Sequence, residues 1–246
     1  MTRLMTTCLF AGGTGKTTTA VTIASALAHF GRKVLLVDCD TQNDCAKLLG
    51  VDDNGGLFEL VTTGRFDPVE ARPNLDLLTG GTTSISQLKK YIGQQTRGVE
   101  KVLRKALAPV TGKYDYVILD SPPSYDGLTE NIFFATTEII APVVCEPKGL
   151  NGLVAFTDQL KETQEETDIA ITYIVPVRYD ARTSQSKEMH SELLAVFGQA
   201  VTEPIRIDVK MSDAVSFGET IWEYDPHNKR SAVDYGKLVK RIINDE

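Results

Sequence analysis

The sequence predicts an α/β protein with a doubly wound, mostly parallel sheet that carries helices on both faces. Three observations support this prediction. Short apolar runs recur along the chain, helical patterns separate most of them, and a glycine-rich turn follows the first run. Strands that alternate with helices form right-handed parallel units, whose sheet is buried on both faces. In such sheets, ligands bind at the carboxyl ends of the strands.

The strand candidates are six apolar runs. They are Leu4 to Phe10, Lys33 to Val37, Leu75 to Leu78, Tyr116 to Leu119, Ile139 to Val144 and Ile169 to Val175. The first helix begins near Lys16 and stops at Gly31, because apolar residues recur at helical spacing between them. A short helix over Leu57 to Thr62, between loops, is expected in the stretch 52–74. Helical segments near Ser84 to Tyr91 and Gly98 to Ala108 precede the fourth run.

Length and composition limit the class of protein. With 246 residues and 42% hydrophobic content, the chain can form one core, so we expect a single domain over residues 1–246. A net charge of −7 argues against wholesale polyanion binding, so any DNA contact must be a local patch. The absence of an eighteen-residue apolar run or a signal-peptide profile predicts a cytoplasmic protein without stable membrane insertion.

The four cysteines, which show no CxxC spacing, predict buried, reduced thiols rather than disulfides or a metal site. They are Cys8, Cys39, Cys45 and Cys145.

The glycine-rich turn predicts a phosphate-binding loop. Gly12, Gly13 and Gly15 allow the backbone N–H groups to approach phosphate, and the following helix N-terminus adds its positive dipole. Lys16 is expected to neutralise the β- and γ-phosphates, and the Thr17 hydroxyl to ligate Mg²⁺ directly. The predicted nucleotide-binding residues are Gly12, Gly13, Thr14, Gly15, Lys16, Thr17 and Thr18.

Two aspartates follow apolar strand candidates. Asp120 is expected to hold a Mg²⁺-bound water, as in a Walker B strand. Asp38 ends the second strand, so we predict that it orients the attacking water and also contacts Mg²⁺ through water. Together with Lys16 it forms the predicted catalytic pair. Asp40 lies beyond that strand, where helix capping or a loop hydrogen bond is expected.

These motifs resemble those of the ParA/MinD family of deviant Walker ATPases. Phe10 stands where the general GxxxxGK[ST] pattern has glycine, whereas the GGxGKTT loop and the later Asp38-Cys39-Asp40 are typical of the family. The segments 175–183, 209–218 and 224–235 also resemble family segments in order and spacing. The resemblance implies a P-loop NTPase with a deviant Walker A motif that uses ATP and Mg²⁺. It further implies slow, partner-stimulated hydrolysis, an ATP-dependent homodimer, nonspecific DNA binding on the nucleoid, and a cargo adaptor protein.

Ala11 departs from the family pattern, because ParA-type loops carry a lysine there that reaches the partner's nucleotide. Three interpretations remain open: the ATPase is impaired, it hydrolyses differently, or another cation replaces the lysine. Lys148 follows a buried strand and precedes a helix, so it is the candidate trans-acting lysine, with a solvated loop lysine as the alternative. Replacement of the signature lysine by a small residue resembles the carboxysome-positioning branch called McdA.

The DNA-binding candidates lie in the last quarter of the chain, where they would neutralise phosphates without reading bases. The alternative is a solvated helix face, because acidic residues are interspersed. The candidates are Lys210, Lys229, Arg230, Lys237, Lys240 and Arg241.

Three other functions remain possible. A MinD-like protein would insert a C-terminal amphipathic helix in the membrane, but the apolar face at Leu238, Val239, Ile242 and Ile243 is short and lacks aromatic residues, which favours packing on the core. The second is an ATP-dependent ligase of the dethiobiotin synthetase type, which shares a similar phosphate loop. The third is a nucleotide-locked scaffold without turnover.

Overall fold

The computed structural model describes residues 2–245, apart from the side chain of Pro147. Its strands are β1 (Arg3–Thr7), β2 (Val34–Asp38), β3 (Val69–Arg72), β4 (Leu75–Leu78), β5 (Tyr116–Asp120), β6 (Glu138–Val144) and β7 (Ala170–Val177). They form one sheet in the order β3-β4-β2-β5-β1-β6-β7. All neighbouring strands are parallel except β3 and β4, which are antiparallel. The predicted mostly parallel sheet is therefore confirmed.

The α-helices of the described residues are α1 (Lys16–His29), α2 (Asp44–Leu49), α3 (Gly56–Thr63), α4 (Thr82–Gly93), α5 (Val102–Thr111), α6 (Gly127–Ala135), α7 (Pro147–Gln164), α8 (Ser184–Phe197), α9 (Val209–Phe217), α10 (Ile221–Tyr224) and α11 (Ser231–Asn244). Short 3₁₀ turns cover Val99–Lys101 and Gly198–Ala200.

Two hydrophobic clusters cover the two faces of the sheet. Alternate residues of a strand point to opposite faces, so in β2 Leu35 and Val37 join one cluster, while Val34 and Leu36 join the other. The first cluster contains residues of α3 to α8, and the second contains residues of α1, α2 and α11. This two-sided cover is the predicted doubly wound arrangement, and it explains why the strands are continuously apolar.

β1 is shorter than predicted, because it ends at Thr7 rather than at Phe10. The chain turns immediately afterwards, where the Ala11 N–H donates to the Leu9 carbonyl at 2.7 Å. Leu9 is nevertheless buried, so its apolar character reports the core rather than a strand. The apolar run therefore predicted burial correctly, but the predicted end of the strand at Phe10 was wrong.

β3 was not predicted. It has only four residues, two of them charged, and it pairs at the sheet edge with β4 through an irregular register between Glu70 and Arg72. Asn74, in the connecting turn, takes the left-handed conformation with φ 65°. The pairing depends on this turn and on the neighbouring strand, so local hydropathy does not reveal it.

α11 packs on the core, as predicted, rather than presenting a free apolar face. Leu238, Val239 and Ile242 are all buried, and the helix lies against α1. Among the described residues, none of the helices combines the length and apolar character needed to span a bilayer.

Candidate functional site

Three polar side chains meet at the carboxyl edge of the sheet. β5 lies between β1 and β2, and its last residue, Asp120, is in register with Thr7 on one side and with Asp38 on the other. All three side chains are buried. The parallel register therefore brings Asp120 next to two residues that lie more than eighty positions before it in the sequence.

The phosphate loop connects β1 to α1 at this same edge. Gly13 and Gly15 have φ values of 70° and 83°, a left-handed conformation that favours glycine. The space beside Gly12, Gly13 and Gly15 contains no protein atom that a Cβ would contact. The loop is therefore open to a ligand, and α1 begins directly after it at Lys16, as the sequence predicted.

The Lys16 side chain folds back over the loop and is 7% exposed. Its Nζ donates a hydrogen bond to the Ala11 carbonyl at 2.8 Å. Burial lowers the pKa of Lys16, although the Asp120 carboxylate opposes this change. The ammonium is thus held at the loop by one carbonyl oxygen, a contact that an incoming phosphate oxygen can replace.

Asp38 is completely buried and held by two backbone groups. Its carboxylate accepts hydrogen bonds from the Asp40 N–H at 3.0 Å and the Cys45 N–H at 3.2 Å. Burial, reinforced by the neighbouring Asp120 carboxylate, raises the pKa of Asp38 to about 7. A carboxyl group with this pKa can accept or release a proton near neutral pH.

Asp120 accepts a hydrogen bond from the Thr7 hydroxyl at 2.9 Å. Burial raises its pKa to about 6, and hydrogen bonds from Thr17 and Thr7 limit the rise. The Thr17 side chain, at the start of α1, therefore already contacts the strand-terminal carboxylate. The structure thus brings together two residues that the sequence assigned to one Mg²⁺ site, and that role stays a prediction.

Cys45 is a residue of this cluster that the sequence did not reveal. Its thiol lies 3.7 Å from Asp120 Oδ2 and donates to it, while its backbone N–H holds Asp38. Burial raises the pKa of Cys45 well above its usual value, so the group remains a protonated thiol. All four cysteines are buried and free, as predicted. The sequence did not reveal the position of Cys45, because this residue reaches the two aspartates only where α2 returns to the carboxyl ends of the strands.

Asp40 makes loop hydrogen bonds, one of the two roles predicted for it. Its Oδ1 accepts from the Gln42 N–H at 3.2 Å and from the Thr41 hydroxyl at 3.3 Å. Asn43 occupies the position before α2, and its side chain makes no capping hydrogen bond. The Asp40 carboxylate therefore shapes the loop that follows β2.

Phe10, which replaces the first glycine of the general loop pattern, belongs to an aromatic cluster. Its ring packs edge-to-face on Phe156 of α7, with centroids 4.8 Å apart, and on Tyr125, with centroids 5.4 Å apart. Phe133 of α6 completes the cluster. Tyr125 follows Asp120 in the loop that leads into α6. Phe10 thus joins the start of the phosphate loop to α7 and to this loop.

Lys148 lies in the first turn of α7, just beyond the carboxyl end of β6, and is exposed. The turn before it is tight, because a Cβ on Gly149 would lie 2.3 Å from the Val144 carbonyl oxygen. Among the described residues, the Lys148 ammonium has no ion-pair partner. The structure therefore places Lys148 at the predicted sheet edge, with its side chain available at the surface.

A cavity of about 280 Å³ extends away from the phosphate loop. Thr14 and Gly15 line one end, and the walls include Ile205, Ile207 and Met211. Its size is near the lower limit for small-molecule sites. A larger groove of about 450 Å³ near Trp222 lies at the other end of α1, away from the strand-terminal carboxylates. The cavity beside the loop is therefore the better candidate for a ligand.

The six basic residues predicted to contact DNA differ in their surroundings. Lys210 pairs with Asp225 at 2.7 Å, and Lys237 pairs with Glu203 at 2.6 Å. Arg241 donates to the carbonyls of Val201 and Gln199 and lies near Asp245. The side chains without such ion pairs in residues 2–245 are exposed: Lys229, Arg230 and Lys240. Arg230 also lines a groove that contains Arg182 and Arg206, which the sequence had not suggested.

The sheet order, the phosphate loop and the strand-terminal aspartates define a P-loop nucleoside triphosphatase. A family model described as an AAA domain matches residues 3–173. Chromosome partitioning protein ParA of Caulobacter vibrioides is 33% identical over 96% of this chain and 91% of its own. Sporulation initiation inhibitor protein Soj of Bacillus subtilis is 30% identical, with 94% of each chain covered. The chain belongs to the ParA/MinD family of ATPases.

Solved structures share the fold over nearly the whole chain. McdA of Cyanothece in complex with ATP has a TM-score of 0.83 at 22% identity, covering 99% of this chain and 96% of that one. Cobyrinic acid a,c-diamide synthase from Mycobacterium smegmatis, solved with ADP and magnesium, has a TM-score of 0.82 at 26% identity. That match covers 99% of this chain and 95% of the synthase.

Proposed function

We propose that this protein is a ParA-type ATPase that forms a dimer with ATP, binds nucleoid DNA without sequence preference and positions or segregates a cargo. A partner protein would stimulate its slow hydrolysis. The observation that carries the proposal is the juxtaposition of an open phosphate loop with the buried pair Asp38 and Asp120. Kinship with ParA and Soj supports the positioning role.

In this proposal, the N–H groups of residues 12–18 surround the phosphates, and the Lys16 ammonium exchanges the Ala11 carbonyl for phosphate oxygens. Mg²⁺ fits the oxygen-rich end of the loop, where the Thr17 hydroxyl would bind it directly and Asp38 and Asp120 through water. When bound, the ion neutralises charge on the phosphates. Burial, together with repulsion from Asp120, raises the pKa of Asp38, and this buried carboxylate pair supports a cation at this position.

Asp38 is the residue proposed to orient the water that attacks the terminal phosphate. Two backbone N–H groups fix its carboxylate, so little reorganisation is needed when the substrate binds. Asp38 lies at the end of β2, next to Asp120. This position supports a role beside the terminal phosphate of the nucleotide rather than beside its nucleobase. Replacement of Asp38 by Ala should leave ATP binding intact and stop hydrolysis.

The proposed dimer brings two nucleotides face to face, and Lys148 would then contact the phosphates of the partner's nucleotide. Two facing triphosphates need cations between them, and Ala11 supplies none. The exposed, unpaired position of Lys148 at the strand edge supports this role.

The proposed DNA surface consists of exposed basic residues that have no ion pair within the described part of the chain: Lys229, Arg230 and Lys240. Three further basic residues would contribute once their present ion pairs or hydrogen bonds break: Lys210, Lys237 and Arg241. A dimer presents two such patches, so weak contacts add through avidity. Localisation in the cytoplasm on the nucleoid, and one domain over residues 1–246, complete the proposal. The fold shared with McdA, together with Ala11, supports the carboxysome-positioning branch as the narrower assignment.

An ATP-dependent ligase is the second candidate function. The similarity to the cobyrinic acid a,c-diamide synthase, over 99% of this chain, favours it. A ligase would bind a small acid next to the γ-phosphate and would not respond to DNA.

Steady-state ATP hydrolysis with and without duplex DNA distinguishes the two functions. A ParA-type ATPase should bind DNA only with ATP, and Asp38→Ala should accumulate as an ATP-bound, DNA-bound dimer. Asp115→Asn, at the opposite end of the sheet, serves as the matched control. An ATPase that ignores DNA at low salt, or an Asp38→Ala variant with normal turnover, would contradict the proposal. Binding to liposomes instead of DNA would favour the MinD-like alternative.

A further inference from the structure

Arg178 is the residue whose backbone and side chain the proposed function leaves unexplained. It follows β7 and takes the left-handed conformation with φ 54°, which is uncommon for a residue other than glycine, asparagine or aspartate. Such conformations persist where the surrounding structure fixes them, and they cluster at ligand sites.

The backbone on both sides of Arg178 is held by hydrogen bonds. The Val177 carbonyl accepts from the Cys145 N–H at 3.1 Å, and the Tyr179 N–H donates to the Ile205 carbonyl at 3.0 Å. Between these two anchors, the chain leaves the sheet edge and pairs with the segment that contains Ile205 and Arg206. The left-handed residue is therefore imposed by the fold at this particular point.

Arg178 lines the cavity beside the phosphate loop, together with Gly15, Ile207 and Met211. Its side chain is exposed, and no hydrogen bond or ion pair holds its guanidinium among residues 2–245. The other arginine of this cavity, Arg206, is fully engaged: it donates to both carboxylate oxygens of Asp234 and to the Lys229 carbonyl. Arg178 therefore offers the unpaired cation of this cavity.

We propose that the Arg178 guanidinium stacks on the base of the bound nucleoside triphosphate and so determines affinity for the base rather than for the phosphates. The cavity begins at the phosphate loop, so a nucleotide held there by its phosphates extends its base along the apolar walls. A planar guanidinium stacks favourably on an aromatic ring, and more strongly when water is excluded. This inference depends on the proposed nucleotide binding at the loop.

The test uses substitutions that tolerate the left-handed backbone. Arg178→Asn and Arg178→Gly remove the cation and keep the conformation, and Arg182→Asn is the control in the same loop, where Arg182 is paired with Asp180. Affinities for ATP and for tripolyphosphate, which has no base, are measured with Mg²⁺ by displacement of a ribose-labelled fluorescent ATP.

We expect both Arg178 variants to bind ATP about 5- to 30-fold more weakly than the wild type, with tripolyphosphate affinity unchanged within about twofold. Arg182→Asn should bind both ligands normally. Arg178→Gly should also raise the Tm by about 2–4 °C, because glycine takes this conformation without strain. If Arg178→Gly is more stable than the wild type and binds ATP more weakly, Arg178 serves ligand binding at a cost in stability.

Equal losses for ATP and tripolyphosphate would overturn the inference, because Arg178 would then bind phosphate. Unchanged ATP affinity would also overturn it, and a parallel loss of DNA affinity in that case would assign Arg178 to the DNA surface. A wild-type protein that binds neither ligand would instead contradict the proposed function itself.

Discussion

Single residues of the site combine burial with charge, which is costly unless a ligand or partner group compensates. Lys16, Asp38 and Asp120 are each at least nine-tenths shielded from solvent, and they lie within one loop and two strand ends. The free protein satisfies them with internal contacts, such as the Lys16 bond to the Ala11 carbonyl. A triphosphate with its metal supplies the opposite charges in one step, so binding should be tight where these residues are intact.

Replacement of Lys16 by Ala should reduce ATP affinity by at least about 30-fold, because a charge that is desolvated and paired with phosphate typically contributes 2–5 kcal/mol. Isothermal titration calorimetry measures the loss, and circular dichroism verifies that the variant is folded. Lys187→Ala, on the exposed face of α8, is the control and should bind ATP normally. Retained affinity in Lys16→Ala would show that the loop does not bind phosphate in the proposed way.

The ionisation of Asp38 should make stability depend on pH. Its pKa is about 7 in the folded protein against an ordinary value of 3.8, so the folded state binds the proton more tightly than the unfolded chain. The free energy of unfolding should therefore fall as pH rises from about 4 to about 7, by at most about 4 kcal/mol from this group.

Urea denaturation of the wild type and of Asp38→Asn between pH 5 and pH 8 measures this effect. Because asparagine does not ionise, the variant should gain stability relative to the wild type as pH rises. A constant difference across this range would mean that Asp38 is ionised throughout and that its pKa is not raised.

At the scale of elements, α7 is the helix that links the site to a surface. Its first turn carries Lys148, and its middle contributes Phe156, on which Phe10 of the phosphate loop packs. The Tyr125 hydroxyl lies 3.5 Å from the Thr163 hydroxyl near the end of the same helix. One rigid element therefore contacts both loops beside the proposed γ-phosphate position and presents a cation at the strand edge.

Replacement of Lys148 by Ala should reduce ATP-dependent dimerisation or turnover about tenfold or more, while monomeric ATP binding remains normal. Analytical ultracentrifugation with ATP measures the dimer, and Lys161→Ala, on the same helix and paired with Asp158, is the control. The double variant Ala11→Lys with Lys148→Ala should recover dimerisation, because it restores a cation between the nucleotides. If Lys148→Ala dimerises like the wild type, another explanation for Ala11 is needed.

The sequence revealed elements whose signals are local and missed those that depend on distant partners. The apolar runs, the glycine loop and the strand-terminal aspartates were recognisable, because parallel strands necessarily bring their ends to one edge. Cys45 beside the two aspartates and Arg178 in the cavity wall were not predicted there, because their positions depend on where α2 and the segment after β7 return to the sheet. β3 was missed because its four residues, two of them charged, form a strand only through pairing with β4.

At the scale of the whole molecule, an acidic protein must bind an acidic polymer through a confined surface. The net charge is −7, and ion pairs already occupy Lys210 and Lys237. Arg182 and Arg206 in the neighbouring groove are likewise paired, with Asp180 and Asp234, so the exposed Arg230 is the more available cation there. DNA binding should therefore require the two patches of a dimer and should be sensitive to counterions.

With ATP, duplex DNA affinity should fall steeply as salt rises from about 50 to about 200 mM, with no preference for sequence. Arg230→Glu should weaken binding more than Lys210→Glu, since Lys210 must first leave Asp225. Fluorescence anisotropy with two unrelated duplexes measures both effects, and Lys187→Glu controls for net charge. Binding that is independent of salt, or stronger losses in the Lys210 variant, would place the DNA elsewhere.

The aromatic cluster around Phe10 also has an evolutionary consequence. In the general loop pattern glycine occupies this position, but here the ring contributes to packing among α6, α7 and the loop after β5. Phe10 is partly buried, so the hole left by its replacement with glycine should cost less than the about 3–5 kcal/mol that truncation of a fully buried phenylalanine costs. Mutations that refill the hole would have to come first. The loss of the ring is therefore disfavoured during evolution. Descendants of this chain should keep a bulky residue at position 10 even where their cargo changes.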